Sequence, residues 1–216
     1  MNTERLIEVL SANLEPVAPG QVRKTLALAL VTGVAAAFGL MLVTVGPRPE
    51  IYMVPHLEWL ALKLSFALSL IIAGTPSLIR SMRPEPNDGT RFTLVFIPFL
   101  VVSAIAIATL LLARPDAWRE MLRGATSVSW ARCCLCILFF AAIPLAVLIW
   151  ALRTGAPTRL KHSGAVAGIV AGAAGAAAYA FNCSSDSVPF VAFWYGGAIA
   201  LCAFIGAQLG PLLLRW

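Results

Sequence analysis

Six long apolar runs separated by short polar segments constrain the fold of this chain more than any other feature. An α-helix needs roughly 20 mostly apolar residues to cross the hydrocarbon core of a bilayer. The runs are Thr25–Val45, Trp59–Ile79, Phe92–Ala113, Cys133–Leu152, Gly164–Phe181 and Val191–Leu214. Only helices and closed barrels satisfy their own backbone hydrogen bonds inside lipid. The sequence therefore predicts an all-α, polytopic membrane protein with a transmembrane bundle of six helices.

The overall composition agrees with this prediction. Of the 216 residues, 60% are hydrophobic and only 12% are charged, whereas a soluble domain carries about 25% charged residues. Such a chain cannot bury its apolar side chains in one small globule and keep a wettable surface, but a bilayer removes that conflict. We expect a transmembrane domain over residues 25–216, preceded by a cytoplasmic segment over residues 1–24, with no separate catalytic domain.

The distribution of Lys and Arg predicts the orientation of the bundle. With the N-terminus inside, the cytoplasmic segments hold ten of these residues and the outer loops hold five. Because positive charge is enriched on the cytoplasmic side, both termini are predicted to be cytoplasmic. The loops 46–58, 114–132 and 182–190 then lie outside. The net charge of +6 is interpreted as topogenic charge and attraction to anionic lipid, not as nucleic-acid binding.

Residues 2–14 form an amphipathic pattern ahead of the first apolar run. Four apolar residues recur at steps of three and four on one helical face: Leu6, Ile7, Leu10 and Leu14. The opposite face is acidic, whereas a helix that binds anionic lipid is rich in Lys and Arg. We therefore predict a short cytoplasmic helix that docks on a protein partner. Contact with lipid or packing within the chain is the alternative.

Small residues recur at helical spacing in the last two runs. The fifth run contains Gly164-x-x-x-Gly168-x-x-x-Gly172, and the sixth contains Gly206-x-x-x-Gly210. This spacing lets helix backbones approach closely in lipid. We expect the fifth helix to pack on the sixth within one chain, and the alternative is a contact face of a homo-oligomer.

Cysteine is the residue type best able to carry chemistry in this chain. Cys133, Cys134 and Cys136 begin the fourth run, and Cys183 lies in the loop after the fifth, on the same predicted side. Cys202 lies in the middle of the sixth run and is interpreted as an inert core residue. Three interpretations are open for the others: a fixed disulfide, a redox or soft-metal sensor, or a thiol oxidoreductase with Cys133-x-x-Cys136 at a helix N-terminus.

Other chemistry finds little support in the sequence. Lys63 is the only charged residue inside a run, and it lies near an end, where its side chain can reach the interface. This scarcity of ionisable groups argues against an ion-coupled transporter or proton pump. His56 and His162 fall on opposite predicted sides of the membrane and cannot share one metal ion or haem. The sequence predicts no enzyme, no cofactor and no metal site.

Four groups of residues carry a resemblance to a known family. They are Thr3-Glu-Arg-Leu6-Ile7-Glu-Val-Leu10 with Pro16-Val17; Trp130-Ala-Arg-Cys133-Cys134-Leu135 with Pro144; Leu152-Arg153-x-Gly155-Ala156-Pro157; and Tyr179-Ala-Phe-Asn-Cys183-x-x-Asp186 with Phe190 and Trp194-Tyr195. Over its full length the chain resembles the NrsF-like anti-sigma factors of proteobacteria, which are inner-membrane proteins with six helices.

This resemblance implies a function. Family members hold an extracytoplasmic-function sigma factor at the membrane through their cytoplasmic N-terminal segment. A periplasmic signal, linked to metal or oxidative stress and to two cysteines, releases it. In this chain the signal cysteines would be Cys183 and either Cys133 or Cys134. The histidine often found before the loop cysteine is Asn182 here.

The resemblance also implies the partners, namely the sigma factor and the lipid bilayer, with no direct contact to nucleic acid. Three alternatives are kept. A membrane thiol oxidoreductase of the quinone-linked disulfide-forming type would need a second pair of cysteines in another loop, where this chain has only Cys183. A small transporter is disfavoured because ionisable groups are scarce inside the apolar runs. A structural membrane protein would use its cysteines for a fixed bond.

Overall fold

The computed structural model describes residues 20–49, 54–82, 93–112, 129–155, 157 and 159–215. Within these residues the structure is helical and contains no strand, so the predicted all-α class is confirmed there. The helices are α1 Gln21–Thr44, α2 Val54–Ser81, α3 Phe96–Leu112, α4 Ser129–Arg153, α5 Leu160–Ala180 and α6 Val188–Leu213. The predicted amphipathic helix over residues 2–14 lies outside the described residues.

Local irregularities occur at the starts of two helices. A 3₁₀ turn, Thr93–Val95, precedes α3. Helix α6 begins with one α-helical turn, continues through a π-helical turn over Val191–Tyr195, and becomes regular from Gly196. A π-helical turn changes the direction of the side chains that follow it, and this one brings Tyr195 into the core.

Five helices are long and apolar enough to cross a membrane, judged by length and composition within the described residues. They are α1, α4, α5, α6 and the part of α2 over Leu57–Ser81. The remaining helix, α3, has 17 described residues, all within the predicted run of Phe92–Ala113. Each of the six apolar runs nevertheless coincides with one helix of the structure.

Helix α5 occupies the centre of the bundle and packs against α1, α2, α4 and α6. In its most apolar stretch of 18 residues, 94% of the residues are buried. This helix corresponds to the run that is richest in Ala and Gly. Because α5 is surrounded by other helices, its side chains are small and permit close packing.

The glycines of α5 and α6 face each other. A Cβ atom added to Gly164 would overlap the carbonyl oxygen of Gly206, and one added to Gly168 would overlap the carbonyl oxygen of Cys202. A Cβ atom on Gly210 would likewise meet the carbonyl oxygen of Leu160. The two backbones are therefore in direct contact, which is the expected packing of the fifth helix on the sixth within one chain.

The buried core has two layers, one toward each end of the bundle. One layer contains Cys133, Tyr179 and Cys183, and we call that end the cysteine end. The other layer contains Leu26 at the start of α1 and Leu152 near the end of α4, and we call that end the opposite end. This arrangement positions the candidate site at the cysteine end and the first turns of α1 far from it along the bundle.

Candidate functional site

Two cysteine thiols meet at the cysteine end of the bundle. Cys133 lies in the second turn of α4, and Cys183 lies in the loop that joins α5 to α6. Their side chains are 0% and 6% exposed. Both residues belong to one buried cluster, their thiols interact electrostatically, and both cysteines are free thiols.

The end of α5 sets the position of Cys183. The backbone N–H groups of Asn182 and Cys183 donate to the carbonyl oxygen of Tyr179 at 2.9 and 3.1 Å. These bonds use the last free carbonyl groups of the helix and turn the chain sharply back toward the bundle. On the other side of the loop, the Ser187 hydroxyl accepts a hydrogen bond from the backbone N–H of Phe190 at 3.4 Å and caps the start of α6.

The segment after α1 holds this loop from outside. The backbone N–H of Arg48 donates to the carbonyl oxygen of Phe181 at 3.1 Å. The side-chain amide of Asn182 donates to the carbonyl oxygen of Gly46 at 3.1 Å. Gly46 has a φ of 72°, a conformation that favours glycine. Asn182 therefore serves as a structural clamp between two loops in this chain.

A buried ion pair connects α2 to the same loop. The Lys63 ammonium lies 2.9 Å from Oδ1 of Asp186 and donates a second hydrogen bond, 3.2 Å long, to the carbonyl oxygen of Cys183. Arg48 also approaches Asp186, at 3.9 Å from Oδ2. Lys63 is only 1% exposed, so its side chain does not extend to the interface as the sequence suggested. It binds the loop that carries the reactive cysteine.

Aromatic rings close the site on the side of the core. The rings of Tyr179 and Tyr195 lie 6.4 Å apart, and that of Phe140 lies 6.5 Å from Tyr179. The buried hydroxyl of Tyr195 interacts with the Cys183 sulfur, although it makes no hydrogen bond of ordinary geometry within the described part of the chain. These rings keep bulk water away from the inner side of the thiol pair.

The remaining cysteines have different surroundings. The Cys134 thiol points to the carbonyl oxygen of Trp194 at 3.9 Å, and Cys136 is half-buried farther along α4. Cys202 is buried in α6 against Gly172 of α5. Of the two neighbouring cysteines that the sequence left open, Cys133 is the one that the structure buries beside Cys183.

The electrostatic environment favours the ionised form of Cys183. The neighbouring Cys133 thiol lowers the pKa of the Cys183 thiol, and the positive charge of Lys63 acts in the same direction. Burial acts against them by raising this pKa, while the Tyr195 hydroxyl and the backbone N–H of Ser185 lower it further. Because the thiolate is the reactive form of cysteine, these groups make Cys183 the candidate nucleophile of the pair.

The site leaves little free space. A cleft of about 10 Å³, lined by Arg48, Leu60, Lys63, Ala180, Phe181, Cys183 and Asp186, has room for about one water molecule. Within the described ranges, no group of three or more His, Cys, Asp or Glu side chains could hold a metal ion. The arrangement suits a reaction between two sulfur atoms, or one soft ion held between them.

The partner-binding residues expected on the N-terminal helix, Leu6, Ile7, Leu10 and Leu14, lie outside the described residues.

Comparison with known proteins decides the family. Residues 10–216 match the sequence profile of the family described as "NrsF: Negative regulator of sigma F". The chain belongs to the NrsF family. It is 31% identical over 216 residues to the "Probable anti-sigma-F factor NrsF" of Azospira oryzae, and 30% identical over 222 residues to the "Anti-sigma-F factor NrsF" of Caulobacter vibrioides. In both comparisons, the whole of each chain is covered. No solved structure matches the chain.

The resemblance seen in the sequence is thus confirmed for the NrsF family, whose description is that of a regulator. Sequence reasoning missed one component of the site in this NrsF chain, the link between Lys63 and Asp186. A signal was present: Lys63 is the only charged residue inside an apolar run, and Asp186 is the only carboxylate in the loop 182–190. Opposite charges that are isolated near the same membrane face are candidates for a pair.

Proposed function

We propose that this chain is a membrane-bound anti-sigma factor with a thiol sensor. Its N-terminal segment holds an extracytoplasmic-function sigma factor at the cytoplasmic face of the inner membrane, through Leu6, Ile7, Leu10 and Leu14. A change at the Cys133–Cys183 pair, on the periplasmic side, releases the sigma factor. The observation that carries the proposal is the buried contact between these two thiols in a member of the NrsF family.

The surface of the bundle supports a location in the membrane. Large apolar side chains point outward along the helices, and Val43 and Leu112 are each 86% exposed. An apolar surface of this extent would make a protein associate in water. Lipid is the solvent that such a surface matches, and five helices have the length and composition to cross it.

The sensing step is an oxidation of two thiols to one disulfide. The Cys183 thiolate attacks one oxygen of a hydroperoxide and breaks the O–O bond. That oxygen stays on Cys183 as a sulfenic acid, and the other leaves with a proton as an alcohol or water. The Cys133 thiol then attacks that sulfur, the S–S bond forms, and the oxygen leaves as water. The two thiols lose two protons and two electrons in total, and the peroxide is reduced. A soft metal ion bound by both sulfur atoms would be the second kind of signal.

Coupling to the cytoplasmic side requires two arrangements of the bundle that differ in affinity for the sigma factor. The packing at the opposite end offers a route for it. Leu152 near the end of α4 belongs to the same buried cluster as Leu26 in the second turn of α1. A shift of α4 at Cys133 would therefore move side chains that support α1. Residues 1–19, which carry the sigma-binding helix, lead directly into α1.

A transcription reporter driven by the sigma factor tests both ends of the proposal. Cys183→Ser is expected to abolish induction by peroxide or a soft metal, because no disulfide or dithiolate forms. Leu6→Glu combined with Leu10→Glu is expected to give high transcription without any signal. The two charges would prevent the predicted N-terminal helix from docking its apolar face on the sigma factor. Cys202→Ala, away from the thiol pair, is the matched control and should respond normally. Normal induction in the Cys183→Ser variant would remove the thiols from the mechanism.

A further inference from the structure

Lys63 carries a buried charge, and the oxidation of two thiols to one disulfide does not itself require that charge. Its ammonium group makes two hydrogen bonds to the cysteine loop, one to the Asp186 carboxylate and one to the Cys183 carbonyl oxygen. Burying a charge costs free energy even when it is paired, and apolar residues of similar size often serve stability as well or better. The position of this cation, in contact with the residue that carries the thiol, therefore indicates a chemical role in addition to a structural one.

We propose that Lys63 is a positioning residue of the thiol sensor, whose ammonium group holds the Cys183 loop on α2 and places a positive charge beside Cys183. Lys63 acts through Cys183 and does not itself touch the oxidant. The inference rests on the proposed sensing role of Cys133 and Cys183, and it adds a residue on a third helix, α2, to that site.

Groups from every neighbouring element act on the Cys183 sulfur. They are Lys63 on α2, Cys133 on α4, Tyr179 on α5, Tyr195 on α6, and Ser185 and Asp186 within the loop, with Arg48 paired to Asp186. Cys133, Tyr195 and the Ser185 N–H contribute neutral dipoles, whereas Lys63 contributes a full positive charge. In a buried site the charge of a neighbouring cation is weakly screened, so its effect on an anion is large.

The Lys63 ammonium group is paired with Asp186 and also contacts the backbone of Cys183. Substitution of Asp186 therefore distinguishes an effect of the Lys63 charge from an effect of the tether. If Lys63 acts by its charge, removal of Lys63 makes the Cys183 thiol harder to ionise. Removal of the competing Asp186 carboxylate does not. If Lys63 were only a tether that holds the loop, loss of either partner would break the same ion pair and have the same effect.

The experiment uses the purified full-length chain in lipid nanodiscs, with Cys134→Ser, Cys136→Ser and Cys202→Ala in the background. Hydrogen peroxide, which is small enough for the cleft, is the probe: Cys183 attacks one oxygen and the other leaves as water, then Cys133 attacks the sulfenic acid and a second water leaves as the disulfide closes. The rate is followed against pH. The pH midpoint is the pH at which the rate reaches half of its maximum. Lys63→Met is expected to raise this midpoint by at least one unit. The reaction at neutral pH should then slow about tenfold, since one unit corresponds to a factor of ten. Lys63→Arg should keep the original midpoint.

Two further variants separate charge from structure. Asp186→Asn should not raise the midpoint, whereas Lys63→Met combined with Asp186→Asn should raise it as much as Lys63→Met alone. The double variant removes the carboxylate together with the buried cation, so it keeps the test available if Lys63→Met does not fold. An unchanged midpoint in the variants that lack Lys63, or an equal rise in Asp186→Asn, would overturn the role of Lys63. Failure of the background protein to form any Cys133–Cys183 disulfide would instead overturn the proposed redox sensing.

Discussion

At the scale of single residues, the direction of a side chain around its helix decides which cysteine reacts. Successive residues of an α-helix with 3.6 residues per turn point about 100° apart. Cys133 and Cys134 therefore cannot face the same partner. Helix α4 is rotated so that Cys133 points to Cys183 and Cys134 points to the backbone of Trp194. The sequence placed all three cysteines at one end of the bundle, but it contains no direct information on the rotation of α4.

This geometry predicts which disulfide forms. Mild oxidation of the purified chain, followed by peptide mass spectrometry, should give a Cys133–Cys183 crosslink. Cys134→Ser should leave its yield unchanged, because the Cys134 thiol faces Trp194. Cys133→Ser should lower the yield of any crosslink to Cys183 at least tenfold. A dominant Cys134–Cys183 crosslink in the unmodified chain would contradict the orientation of α4 described here.

At the scale of the helices, hydropathy predicted well where the helices of the described residues lie, but it predicted their arrangement poorly. The six runs coincide with α1 to α6 because any spanning helix must be apolar over its length. Hydropathy cannot tell a helix that faces lipid from one that faces other helices, and the weakest run became α5, the central helix. The better indicator was the spacing of small residues, since it predicted the contact of α5 with α6. Lys63 was missed because its partner belongs to a loop whose path back to α2 depends on that packing.

The contact between α5 and α6 predicts a specific sensitivity to substitution. Gly168→Ala places a methyl group against the carbonyl oxygen of Cys202, so the helices must separate. We expect a loss of about 1–3 kcal/mol, typical of overpacking, measured by thermal unfolding in detergent. Gly39→Ala on α1, where an added Cβ meets nothing within 4 Å, is the matched control and should cause no loss. Equal stability of the two variants would show that the helices can separate without cost.

At the scale of the whole molecule, the proposed function depends on the two ends of the bundle lying on opposite sides of a membrane. The thiol pair and the clamp between Gly46 and Asn182 lie at the cysteine end. The base of α1, which follows the predicted sigma-binding segment, lies at the opposite end. An oxidant outside the cell membrane can affect a cytoplasmic partner only if the bundle separates these two ends.

Cysteine labelling of intact cells tests this sidedness. In a background without native cysteines, Ser184→Cys lies on an exposed position of the loop at the cysteine end, and Gln21→Cys lies on an exposed position at the start of α1. A membrane-impermeant maleimide applied to cells with a permeabilised outer membrane should label Ser184→Cys. It should label Gln21→Cys only after the inner membrane is opened, because the excess of Lys and Arg keeps that end in the cytoplasm. The reverse pattern would place the thiols in the reducing cytoplasm, where disulfides rarely persist, and the sensing scheme would then lose its physical basis.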